Sequence, residues 1–165
     1  MLFPGKDKKE QKIEQILLEN YNSYYRLAYS YVHNEADAGD IVQNGAYKAI
    51  LHSDTLKQEE YAGTWVYRIM LNEIFRFLKK EQPISLDAVE VEHGKEDTYE
   101  NLDLRRALDA MPQEDKAVIE LKYFEDMKLT EIAEILDENV NTVKSRLYRG
   151  LRKLRLELSD AWQWE

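Results

Sequence analysis

Apolar residues recur every three or four positions over most of the chain, and no alternating strand pattern takes over anywhere. Across residues 11–33 the series Ile13, Ile16, Leu17, Tyr21, Tyr24, Leu27, Ala28, Tyr31 and Val32 predicts one long helix or two collinear ones. A polar stretch over residues 1–10, expected to fray, precedes it. Asn34 is placed to cap a second helix, with Glu35 and Asp37 in a first turn whose dipole favours acids. Ala38, Ile41, Val42, Ala46, Ala49 and Ile50 form its narrow apolar stripe, and Asp40, Gln43, Asn44, Tyr47 and Lys48 fall largely off it. A polar loop over residues 52–63 leads to a third helix that starts at Thr64 or a neighbour and runs to about Lys80. Its predicted buried side is Val66, Ile69, Met70, Ile74, Phe77 and Leu78. Trp65, Tyr67, Arg68, Asn72, Phe75, Arg76, Lys79 and Lys80 occupy the rest.

Pro83 ends that helix, and residues 85–101 form an acidic linker in which Lys95 is the single cation. Helical spacing resumes with Leu104, Ala107, Leu108 and Met111. Pro112 suits the first turn of a helix over 113–124 that buries Ala117, Val118, Leu121 and Phe124. Asp126 and Met127 turn the chain into a short helix over 130–136, with Thr130 and Glu134 near capping-box spacing. Asn139 then caps a last helix whose stripe is Val143, Leu147, Leu151, Leu154 and Leu158. The predicted class is therefore all-α: a helical domain over residues 1–84, the linker, and a second helical domain over residues 102–165.

Charge changes the reading of that last helix. From Lys144 to Arg155 no acid interrupts, and Lys144, Ser145, Arg146, Tyr148, Arg149, Arg152, Lys153 and Arg155 stand off the stripe. The whole chain carries 32 acids and 23 Lys or Arg, a formal charge of −9. A basic helix after a three-residue turn reads as a helix-turn-helix entering a major groove, although a solvated basic face is the ordinary alternative. Aromatics interleaved with Arg and Lys on the third helix suit an unstacked single strand, and equally suit packing at the rim of a core. Most affinity for DNA is phosphate neutralisation, so an anionic chain that reads DNA needs a partner to supply part of it.

Other chemistry is not called for. The chain has no cysteine, which excludes disulfides and fits a reducing interior. His33, His52 and His93 are scattered, and the six glycines form no phosphate loop, so neither a metal site nor a cofactor nor an active site is expected. No signal-peptide core or membrane span is read, so a cytoplasmic protein is expected.

Four stretches, in this order, resemble the extracytoplasmic-function sigma factors, the minimal two-domain members of the sigma-70 family. They are Tyr25-Arg-Leu-Ala-Tyr-Ser-Tyr-Val32, Ala36-Asp-Ala-Gly-Asp-Ile-Val-Gln43 and Thr64-Trp-Val-Tyr-Arg-Ile-Met-Leu-Asn72, then Leu129-Thr-Glu-Ile-Ala-Glu-Ile-Leu136 with Asn141-Thr-Val-Lys-Ser-Arg-Leu-Tyr-Arg149. The wording Phe124-Glu-Asp-Met-Lys-Leu129 and the linker look closest to the sigma-V branch of Gram-positive bacteria. Resemblance implies a sigma region 2-like bundle that binds the clamp of core RNA polymerase through Asp40 and Gln43. It also implies that Trp65, Tyr67, Arg68, Asn72 and Arg76 hold the melted −10 strand. Lys144, Ser145, Arg146, Tyr148 and Arg149 of a sigma region 4-like helix-turn-helix would read the −35 element of promoter DNA. An anti-sigma factor, often membrane-bound, is a further implied partner, and no small-molecule substrate is.

The chain departs from the family pattern at three places. Asp137 stands where a glycine is usual, Glu138 where an apolar residue is usual, and Asn44-Gly45 where Glu-Thr is commoner. A glycine inside a helix is less favourable than alanine by about 1 kcal/mol. Two other classes stay open on the residues alone: a stand-alone helix-turn-helix regulator, and a non-catalytic helical interaction module.

Overall fold

Short polar side chains decide where the first helices begin. Asp7 accepts the Glu10 N–H at 2.8 Å and starts α1 (Lys8–Val32), inside the stretch expected to fray. The computed structural model describes residues 7–81 and 99–162. α1 is a single helix, closed by His33 in the left-handed region (φ 53°), whose N–H donates to Tyr29 O. Asn34 accepts the Asp37 N–H at 2.8 Å and caps α2 (Glu35–Leu51). Two 3-10 turns, Ser53–Thr55 and Glu59–Tyr61, then carry the chain to α3 (Ala62–Glu81). The polar loop expected here is anchored, because Ser53, Leu56 and Ala62 are buried.

The chain divides into two compact units, Met1–Ala88 and Val89–Glu165. In the first, α1, α2 and α3 pack pairwise on one another. Their core joins Ile13, Tyr24, Leu27 and Ala28 to Ile41, Val42 and Ala49, and to Val66, Met70, Leu71 and Ile74. Each Val, Leu, Ile or Met side chain among them contributes roughly 1.5–3 kcal/mol on burial. Gly45 is buried where Ala46 was expected, and a Cβ built on it would lie 2.5 Å from Met70 Sδ. At Gly45 the thioether of Met70 from α3 lies directly against α2, so any side chain there would have to displace it.

In the second unit α7 (Val140–Trp162) is the central element, packed by α4 (Tyr99–Asp109), α5 (Gln113–Ile119) and α6 (Leu129–Leu136). Gly150 lies against Ile119 and Met111, and Val143 and Leu147 are buried beside it. Pro112 caps α5 from outside rather than entering its first turn. The chain after α5 widens into a π-helical turn, Glu120–Phe124, closed by the Glu125 N–H on Glu120 O at 3.1 Å. One extra residue per turn swings Phe124 out of the predicted stripe, and it is 54% exposed beside Tyr123. The expected capping pair on α6 is also corrected, because Glu131, not Glu134, reaches back to the Lys128 N–H at 3.0 Å.

The bend between α6 and α7 survives without glycine. Asp137 takes the left-handed conformation (φ 55°, ψ 48°), and the N–H groups of Asp137 and Glu138 donate to Glu134 O and Ala133 O. That pair of bonds is the Schellman closure of a helix. Asn139 Oδ1 accepts the Asn141 N–H at 2.7 Å and starts α7. No described helix is long and apolar enough to cross a membrane. The acidic linker expected over residues 85–101 falls outside the described residues except at 99–101, which open α4, and the Leu158 side chain likewise lies outside them.

Candidate nucleic-acid interfaces

The first candidate surface is an open groove of about 310 Å³ along α3 in the first unit. Trp65, Arg68, Ile69, Asn72, Glu73 and Arg76 supply one wall, and Lys48, His52 and Thr55 from the end of α2 and the first 3-10 turn supply the other. Four residues expected at the −10 strand, Trp65, Arg68, Asn72 and Arg76, are thus brought together. The fifth is not. Tyr67 is 8% exposed and sets its ring edge-on against Tyr24, centroids 4.9 Å apart and 77° between planes. It is a core residue joining α1 to α3, and its expected contact with the strand is corrected on that ground. Phe75 likewise meets Tyr31 edge-on, at 5.9 Å.

Glu73 ties the groove together. Buried itself, it accepts a 2.6 Å bond from Lys48 Nζ and lies 3.8 Å from Arg76 Nη1. One carboxylate thereby holds two cations at the floor of a concave, partly aromatic surface, which can receive a phosphate and a base. The spacing of Glu73 among apolar positions of α3 gave no hint of this role.

On α2, Asp40, Gln43 and Asn44 are exposed and lie in line with Tyr47 and Leu51, 66% and 56% exposed. Two large apolar side chains in water at the end of a polar ridge fit protein contact better than nucleic acid. Leu51 goes unnoticed in the sequence, because a second helical stripe of mixed character has no strong periodicity.

The second unit presents α7. Lys144, Ser145, Tyr148 and Arg149 are exposed, as are Asn141 and Thr142 before them. Arg146 is not offered to solvent in the same way. Its Nε and Nη2 donate to Glu138 Oε1 and Oε2 at 2.8 and 2.7 Å, and its Nη1 donates to Asp115 Oδ1 at 3.0 Å. Arg149 donates to the same carboxylate, Nε to Oδ2 at 2.7 Å and Nη2 to Oδ1 at 3.0 Å. Burial pushes the Asp115 carboxyl up, but the hydrogen bonds from Arg149 and Arg146 outweigh it and hold the group below the usual carboxylate range. Both arginines are held charged, Arg146 by Glu138 first and Arg149 by Asp115. The expected row of five readers is therefore corrected at Arg146, whose donors are turned onto the protein's own carboxylates. Lys153 also turns inward, onto Ala110 O at 2.7 Å. Asp115 and Glu138 escape sequence reasoning because their partners lie 31 and 8 residues away.

Among the described residues no group of three or more His, Asp or Glu converges as a metal site.

Comparison with known proteins meets these surfaces at both ends of the chain. Residues 16–84 match the sigma-70 region 2 family and residues 101–154 the sigma-70 region 4 family. The RNA polymerase sigma factor SigV of Bacillus subtilis is 42% identical over 160 residues, covering 92% of this chain and 96% of that protein. The ECF RNA polymerase sigma factor SigW of the same organism is 34% identical over 155 residues, covering 82% and 83%. Among solved structures, the sigma factor RpoE in complex with the anti-sigma factor NepR from Bartonella quintana aligns with a TM-score of 0.70 at 21% identity, covering 88% of this chain and 96% of that one. CnrH in complex with the cytosolic domain of CnrY aligns at 0.68 and 23%, covering 91% and 88%. At those identities the structural likeness is one of fold.

Proposed function

Because this chain belongs to the sigma-70 family, within its extracytoplasmic-function group, we propose that it is an alternative sigma factor that joins core RNA polymerase and directs it to promoters. What carries the proposal is that one anionic chain, −9 overall, bears two surfaces of nucleic-acid type on separate compact units. Neither unit has the charge to hold a duplex tightly alone, and polymerase supplies the missing affinity.

The parts divide as follows. The domain over residues 1–84 binds polymerase through the α2 ridge of Asp40 and Gln43, extended by Tyr47 and Leu51. Its α3 groove, with Trp65, Arg68, Asn72 and Arg76, takes the separated −10 strand, stacking a base on the indole and pairing phosphates with the cations. The domain over residues 102–165 lays the start of α7 in the −35 major groove, where Lys144, Ser145, Tyr148 and Arg149 face the DNA and Arg146 stays behind them. Residues 85–101 connect the two. The protein performs no catalysis of its own and works in the cytoplasm. One of the similar structures holds a sigma factor in complex with an anti-sigma factor, and we assign this chain an inhibitor of that kind, seated on the exposed apolar part of the α2 ridge.

Reconstitution with core RNA polymerase tests the proposal. Transcript starts should map downstream of a shared −35/−10 pair, and the chain alone should show little specific binding at physiological salt. Tight, sequence-specific binding by the free chain as a dimer would instead mark a stand-alone regulator, and failure to initiate with core enzyme would leave only an interaction module.

A further inference from the structure

The carboxylate of Asp115 is almost wholly enclosed, its side chain 1% exposed, yet it is spent on two arginines of the helix that faces DNA. Those arginines end up in different states. Arg146 has its Nε, Nη1 and Nη2 all engaged by protein oxygens, and its side chain is 20% exposed. Arg149 gives Asp115 only its Nε and one Nη2 hydrogen and remains 57% exposed. A guanidinium carries five N–H donors, so the end-on Nη1/Nη2 edge of Arg149 keeps three of them. That edge is the right width for guanine O6 and N7, or for two oxygens of a phosphate.

We propose that Asp115 is a positioning residue for promoter reading, clamping Arg149 side-on so that it meets the −35 duplex with its outer edge, while Arg146 is a strut that reads no base. This rests on the α7 surface being the −35 reader. A long arginine side chain free in water samples many rotamers and surrenders them on contact; one already pinned by a bidentate pair surrenders fewer. Glu138 completes the device. It stands where the family usually has an apolar residue, and its two bonds to Arg146 fix the strut without using the oxygen that serves Arg149 Nε. Arg146 Nη1 and Arg149 Nη2 share the other, Asp115 Oδ1.

The distinguishing variant is Asp115→Asn. An amide keeps one acceptor but sets an NH₂ group against a donor, either Arg149 Nε or the two Nη groups, so the clamp opens while size is kept. Holoenzyme reconstituted from the full chain and core polymerase is given promoters randomised over the −35 element, and base preference at each position is read from the transcripts. Arg149→Lys, which keeps charge but not the fork, marks the position that Arg149 reads. Asp115→Asn should flatten preference at that same position by about tenfold, with the other positions keeping their wild-type shape. The double variant should be no flatter than Arg149→Lys alone. Arg146→Gln should lower the melting temperature and leave the shape of the profile intact.

A uniform fall in output with the wild-type profile kept would make Asp115 a brace only and overturn the proposal, as would a double variant in which the two effects sum. Should Asp115→Asn fail to fold, Arg146→Gln still decides: a flattened −35 position in that variant makes Arg146 a reader and the proposal wrong. A wild-type holoenzyme without −35 preference would remove the assignment of α7 as well, whereas a normal wild-type profile left unmoved by Asp115→Asn would remove this inference alone.

Discussion

Replacing Gly45 by alanine sets two opposed effects against each other inside α2. By propensity the change should help, since alanine is favoured over glycine in a helix by about 1 kcal/mol. Against it, the new Cβ would lie 2.5 Å from Met70 Sδ and 3.1 Å from its Cε, far inside contact distance. Met70 is itself buried, 1% exposed, so its thioether, although the flexible end of the side chain, has to make room by shifting within the core. Overpacking a tight core by one methyl group costs about 1–3 kcal/mol, and an overlap above an ångström belongs near the upper end. The net expectation is a loss of about 1–2 kcal/mol, the propensity gain having been subtracted. For a unit of this size that corresponds to a melting temperature lower by roughly 5–15 °C, followed by circular dichroism on the full chain. Met70→Ala in the Gly45→Ala background should then be better tolerated than the sum of the two single losses by about 1 kcal/mol or more. A rise in melting temperature for Gly45→Ala, or strict additivity in the double variant, would refute the steric reading of the α2–α3 crossing.

Further expectations concern single groups. Tyr24 is buried, and among the described residues its hydroxyl has no hydrogen-bond partner; Tyr24→Phe should therefore raise stability by about 1 kcal/mol in urea unfolding, and a loss would mean that the hydroxyl is satisfied in solution. Asp137→Gly, at φ 55°, should stabilise the second unit by about 1 kcal/mol by relieving left-handed strain, read as a higher thermal midpoint. Asp115→Asn should cost about 3 kcal/mol at neutral pH, the lower end for breaking a buried ion pair because Arg149 stays half in water. The pH dependence has a fixed sign: the folded carboxyl titrates below its ordinary value of 3.8, so its contribution is whole above that value and is lost as pH falls through the lower, folded one. Wild type and variant should accordingly converge in thermal stability only in strong acid, and convergence near pH 6 would contradict the pairing.

Periodicity and end signals were enough for the helices, because both are local. Asn34 and Asn139 cap where their short polar side chains suggest, and most of the α1 stripe is buried, Tyr21 excepted, while of the α7 stripe Val143 and Leu147 are buried and Leu151 and Leu154 half-buried. Some errors are local, as where Glu131 rather than Glu134 closes the cap of α6, and others lie where the register shifts or a distant residue intervenes. Phe124 leaves its stripe because a π-helical turn shifts the register, and Tyr67 leaves the strand-binding face because Tyr24, 43 positions earlier, draws its ring inward. Gly45 looks like a weak point of α2 until Met70 is seen against it.

For this protein, then, the order of amino acids alone determined the all-helical class, the two-part organisation and the cationic character of the last helix, since each follows from neighbours within about one turn. Which of those cations face outward was decided only by tertiary structure. Arg146 and Arg149, three residues apart, share one face of the helix, and it took a buried carboxylate from α5, more than thirty residues upstream, to draw Arg146 in and leave the outer edge of Arg149 in water.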